Sequence, residues 1–108
     1  TLDGKQEVPS VTTMASGTAN FILKDDMSLS GSVITKGIKA TMAHIHAGIE
    51  GTNGSVAVPL TRQGDSEWIV PDGTILTAEQ ITTLKEGGMY VNVHSDAHKG
   101  GEIRGQLK

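Results

Sequence analysis

The sequence predicts an all-β fold, a Greek-key β-sandwich with one short crossover helix. Three observations carry this reading. Fourteen glycines punctuate the 108 residues, the stretches between them are rich in Val, Ile and Thr, and within those stretches apolar and polar residues alternate with period two. There is no internal repeat, low-complexity tract or linker, so residues 1–108 are expected to form a single domain of two packed sheets.

Each element has its own justification. A first strand is expected near residues 2–8. An edge-strand role ending at Pro9 is the simplest account of Gln6 and Glu7. Strands at 16–23 and 28–37 flank Asp25-Asp26, where a hairpin turn is wanted. Strands at 42–46 and 55–60 flank Asn53-Gly54, a strong type I′ turn signal. A strand at 67–70 precedes the helix. There Thr77-Ala78-Glu79-Gln80 has capping-box form, Ile81 and Leu84 make one apolar stripe, and Gly87-Gly88 stops the turn. Strands at 90–94 and 102–107 complete the chain.

Alternation also assigns faces. Met89, Val91 and Val93 share one face and Tyr90, Asn92 and His94 the other; Ile45 opposes His44 and His46; Ile103 and Leu107 oppose Glu102, Arg104 and Gln106. The histidines and Arg104 therefore lie off the core, on polar faces.

Composition excludes several functions. The formal charge is −3 and Phe21, Trp68 and Tyr90 are the only aromatic residues, so there is neither a basic field nor a stacking platform for nucleic acid. No run approaches the roughly 20 apolar residues of a membrane span, and no signal-peptide pattern opens the chain. The abrupt start at Thr1, directly into a structured-looking segment, suggests that a leader or tether has been removed. With no cysteine, thiolate zinc and iron–sulfur sites are ruled out and a metal must use nitrogen or oxygen ligands. There is no G-x-S-x-G elbow and no phosphate-binding glycine loop. Oligomeric state is not legible.

The four histidines are confined to His44-Ile45-His46 and His94-Ser95-Asp96-Ala97-His98. Residues i and i+2 of a strand share a face roughly 7 Å apart at Cα, so two imidazoles placed this way can bend toward one ion. His44, His46 and His94 are the stronger candidate ligands; His98, in a loop beside Lys99-Gly100-Gly101, is the weakest. An all-imidazole set favours copper over zinc by the divalent stability order, and three such donors leave a position open. Backbone carbonyls, Asp96 or Glu102 are the candidate acceptors that orient the rings. Affinity is expected to fall as pH drops through the region near 6.5 where free histidine titrates. Arg104, flanked by Glu102 and Gln106, reads either as a surface ion-pair partner or as a group that guides an anion to a bound metal.

Taken together, Gln6-Glu7-Val8-Pro9, Ala43-His44-Ile45-His46-Ala47-Gly48, Tyr90-Val91-Asn92-Val93-His94 and Gly101-Glu102-Ile103-Arg104-Gly105-Gln106-Leu107 resemble the CHRD domain, the module named after chordin, across essentially the whole chain. That resemblance implies a β-sandwich of superoxide-dismutase-like or immunoglobulin-like type and an extracytoplasmic location. A more distant likeness is to copper–zinc superoxide dismutase, through His-x-His in a strand, a late Val-x-Val-His, and Arg-Gly in the last strand. It implies His44, His46 and His94 as copper ligands and Arg104 as the catalytic arginine that guides anionic substrate. The chain departs from that pattern in being shorter and in lacking the disulfide cysteines and the zinc loop, so a relative in function would be copper-only. The expected function is an extracytoplasmic mononuclear copper site with superoxide-dismutase-like redox chemistry. The alternatives are copper storage or delivery without turnover, and a metal-free adhesion or protein-interaction module.

Overall fold

Each Val- and Ile-bearing stretch has one apolar face to bury, and strands solve this by packing sheet against sheet. In the computed structural model, which describes residues 1–107, the strands are β1 (Ser16–Leu23), β2 (Leu29–Lys36), β3 (Ala40–Ala47), β4 (Val56–Pro59), β5 (Thr61–Arg62), β6 (Glu67–Ile69), β7 (Met89–Ser95) and β8 (Ile103–Leu107). They form two antiparallel sheets of order β1-β2-β6-β5 and β4-β3-β7-β8. The predicted all-β sandwich is therefore the observed fold. Between the sheets lie Leu29, Val33 and Trp68 from one side and Ala43, Ile45, Met89, Val91, Val93 and Ile103 from the other, all buried.

The connections follow local chemistry. At Asp25-Asp26 the chain makes the expected hairpin, with the Ser28 amide donating to Asp26 Oδ1 and the Lys24 amide to the Ser28 carbonyl. The helix α1 (Ala78–Lys85) carries both halves of the capping box: Gln80 N–H donates to Thr77 Oγ1 and Thr77 N–H to Gln80 Oε1. It links β6 of one sheet to β7 of the other and rests Ile81 and Leu84 against the core. Among the described residues no helix is long and apolar enough to cross a membrane.

Two local expectations are corrected. Residues 2–8 do not form a strand. Leu2 and Asp3 make single bridges to Gly17 and Arg104, and the chain then coils into a 3₁₀ turn at Gly4–Gln6, capped by Asp3 Oδ1. The segment folds back on itself, with Val11 N–H donating to the Gly4 carbonyl, and glycine at position 4 permits the approach because a Cβ there would collide with the Val11 carbonyl. Nor do Asn53-Gly54 form a two-residue type I′ turn, which requires positive φ at both residues; neither has it. They belong to a longer loop, 48–55, between β3 and β4.

The polar face of the second sheet is where the fold departs most from an ordinary sandwich. His46, Tyr90, Asn92, His94 and Arg104 face away from the core yet are buried. A third layer covers them. The N-terminal segment adds Asp3 to the edge of β8 and ties Thr13 to Glu102, and the 48–55 loop joins it through Asn53 Nδ2 donating to the Val8 carbonyl.

Candidate metal centre

The strand register brings the sequence-predicted histidines together. On β3, His44 and His46 project from one face. Pairing with β7 sets His44 opposite Asn92, His46 opposite Tyr90, and Met42 opposite His94. As a result His44, His46 and His94 each offer a ring nitrogen within 4.8 Å of the others. Small ring movements close that separation onto one ion at the 2.0–2.1 Å typical of imidazole nitrogen.

Two of the rings are oriented by backbone carbonyls. His94 Nδ1 donates to the Lys99 carbonyl at 2.9 Å and His46 Nδ1 to the Gly54 carbonyl at 3.1 Å. A carbonyl only accepts, so in the neutral form of each ring the proton sits on Nδ1 and Nε2 is bare. His94 Nε2 accepts from His44 Nδ1 at 3.1 Å. His46 Nε2 is buried with no hydrogen-bond partner. A buried unpaired acceptor costs roughly 1–3 kcal/mol, and a cation among the three imidazoles would satisfy it; the residues present therefore fit a metal.

Neither sequence-proposed carboxylate orients a ring. Glu102 accepts from Thr13 Oγ1 at 2.6 Å and from Ser95 Oγ at 2.7 Å, which fastens the N-terminal segment to the end of β7, while Asp96 is exposed. His98 is not part of the convergent group. Its backbone closes the turn after β7, with its amide donating to the Ser95 carbonyl and its own carbonyl accepting from Gly101 N–H. That turn presents the Lys99 carbonyl to His94, so this segment contributes an anchor to the site.

Burial pushes the His44 and His94 imidazoles below the ordinary histidine range. At His44 the neighbouring His94 and His46 add to the effect. At His94 the hydrogen bond to Lys99 opposes it, and His46 adds to it. Both rings thus stay neutral and ligand-ready into mild acid. The unfolded chain takes up these protons near 6.5 whereas the folded chain resists, so their effect on stability is nil above that pH and unfavourable below it. We expect NMR titration of the metal-free protein to place both rings below 6.5, and metal retention to extend correspondingly lower than the sequence suggested. A midpoint at or above 6.5 for both would contradict this.

Tyr90 is the residue that sequence reasoning passed over. Its ring stacks on His46, with centroids 4.9 Å apart and planes 1° from parallel, and its hydroxyl accepts from Gly54 N–H at 3.0 Å. Gly54 therefore holds Tyr90 by its amide and His46 by its carbonyl. A Cβ there would collide with the Ala47 carbonyl oxygen, so only glycine allows the close approach. Gly54→Ala is expected to displace the loop and lower metal affinity about 10–100-fold, the usual cost of losing a ligand's orienting partner, checked by metal titration. Unchanged affinity would show that the Gly54 anchor is dispensable.

Arg104 lies over the same tyrosine. Its Cζ is 3.4 Å from the Tyr90 ring centroid, and its nitrogens donate to the Ile49 carbonyl at 3.3 Å and Asn53 Oδ1 at 3.4 Å. The residue is 1% exposed. The guanidinium therefore braces Tyr90 and the 48–55 loop, and its burial does not match the surface ion-pair reading. Burial pushes the nearby Glu7 carboxyl up to about 7, against the lowering influence of Arg104 and of a hydrogen bond from Asn92.

A β-sandwich with three convergent imidazoles under a polar third layer defines the class of this domain. The chain belongs to the CHRD domain family, whose model matches residues 1–107. No curated protein and no solved structure matches it.

Proposed function

We propose that this CHRD domain holds one metal ion, copper in preference to zinc, through His44, His46 and His94, and that it works outside the cytoplasm as its family membership suggests. The observation that carries the reading is His46 Nε2, buried without a partner beside two further imidazoles. Bound copper would supply one-electron redox chemistry, with a position left for a small anion such as superoxide. The chain's own part is to orient. Gly54 and Lys99 set the His46 and His94 tautomers, while Tyr90 and the 48–55 loop close the His46 side and leave half-buried His44 facing the approach. Arg104 acts as a positioning residue beneath that loop. Its burial favours a second reading, copper storage or delivery without turnover, because holding an ion needs no anion guide.

Metal titration of the purified domain with elemental analysis and EPR tests the first reading. One copper per chain with nitrogen ligation is expected; failure to retain copper or zinc would overturn it in favour of an adhesion or interaction module. Superoxide consumption by the copper-loaded protein above the metal-free background separates turnover from storage.

A further inference from the structure

Met42 shares the face of β3 that carries His44 and His46, since Ala43 and Ile45 between them are buried in the core. The β3–β7 register sets it directly opposite His94. Opposed residues of an antiparallel pair lie roughly 4.5–5.5 Å apart at Cα, and a methionine side chain has three rotatable bonds with which to reach across. Exposure rises along this row from His46 at 8%, through half-buried His44, to Met42 at 49%. The trio is thus covered by Tyr90 and the loop at one end and opens toward a thioether at the other. A large apolar side chain half in water gains little from packing at this position.

We propose that Met42 Sδ is a fourth ligand of this centre, one that equips it for Cu(I). Three imidazoles bind Cu²⁺ more tightly than Zn²⁺ but do not select for Cu(I), whereas a soft thioether donor favours Cu(I) and adds little for Zn²⁺. The side chain's flexibility and half-exposed position let it swing onto the ion or away, so it also sets access to the open position. This assignment rests on the three-imidazole reading and deepens it by naming the oxidation state that the donor set favours.

The test loads wild type, Met42→Leu and His46→Ala with Cu(I) anaerobically against a chromogenic Cu(I) chelator, measures Zn²⁺ affinity in parallel, and records copper X-ray absorption. Leucine conserves volume at a half-exposed site, so the fold is retained. Wild type is expected to show one sulfur scatterer. Met42→Leu should lose it, weaken Cu(I) binding by about tenfold or more, and leave Zn²⁺ affinity unchanged. A nitrogen-only copper shell in wild type, or Met42→Leu equal to wild type in Cu(I) affinity, overturns the thioether ligand while leaving the imidazole site in place. If wild type binds neither ion, or His46→Ala binds both as tightly as wild type, the three-imidazole reading falls and this inference with it.

Discussion

His46→Ala and His94→Ala are each expected to weaken copper binding by more than about 100-fold, because losing an orienting partner alone costs 10–100-fold and these residues supply the donor itself. His46→Ala is the more informative of the two. It removes the buried, unpartnered Nε2 and the ring that stacks on Tyr90, while the core between the sheets is untouched. Circular dichroism should therefore report a folded β-protein, and calorimetric titration should report the loss of metal. In the metal-free state the variant also sheds one unsatisfied buried acceptor, which offsets part of the lost packing. Undiminished copper affinity in either variant would remove the three-histidine site.

Arg104→Ala is expected to destabilise the domain by about 2–4 kcal/mol, a shift of roughly 10–20 °C in Tm for a chain of this size. The truncation opens a void over the Tyr90 ring and removes the guanidinium's hydrogen bonds to Asn53 Oδ1 and to the Ile49 carbonyl, which keeps Thr52 N–H and Oγ1 as donors, and recovery of the guanidinium's desolvation cost offsets only part of this. Arg104→Lys should rescue little, since an ammonium lacks the planar fork that stacks on Tyr90 while donating to two acceptors. Denaturant unfolding checks the magnitude. Removing the guanidinium should also raise the Glu7 carboxyl beyond about 7, because the Arg104 charge is one of the two influences holding it down. Glu7 binds its proton more tightly folded than unfolded, so its stabilising effect is complete below the ordinary carboxyl range and is lost as pH rises through about 7. An Arg104→Ala domain as stable as wild type, but slower in consuming superoxide in a salt-dependent way, would restore the anion-guiding role.

Alternation and spacing made most of the frame legible before any coordinates. Val91, Val93, Ile45 and Ile103 had to face one way because a strand's side-chain period is two, and that periodicity set His44, His46, His94 and Arg104 on the opposite face. The capping box at Thr77 and the turn at Asp25-Asp26 were legible for the same reason, since their chemistry is complete within four residues. His98 was ambiguous because a loop histidine has no such period to constrain it.

By itself the sequence determined the strands that carry the core, their buried faces and a row of imidazoles sharing one face, all consequences of local covalent geometry, but not the N-terminal segment, which it misread as a strand. Only the tertiary structure decided what became of the polar face. A pattern of two cannot tell a face covered by water from one covered by the chain's own N-terminal segment and a loop, because that cover arrives from the far end of the chain, as when Asp3 bridges Arg104. The same long-range closure placed Gly54 between His46 and Tyr90, buried Arg104 over the Tyr90 ring, and brought Met42 opposite His94. Register and loop closure join distant segments through backbone pairing and burial, and no window of sequence contains both partners.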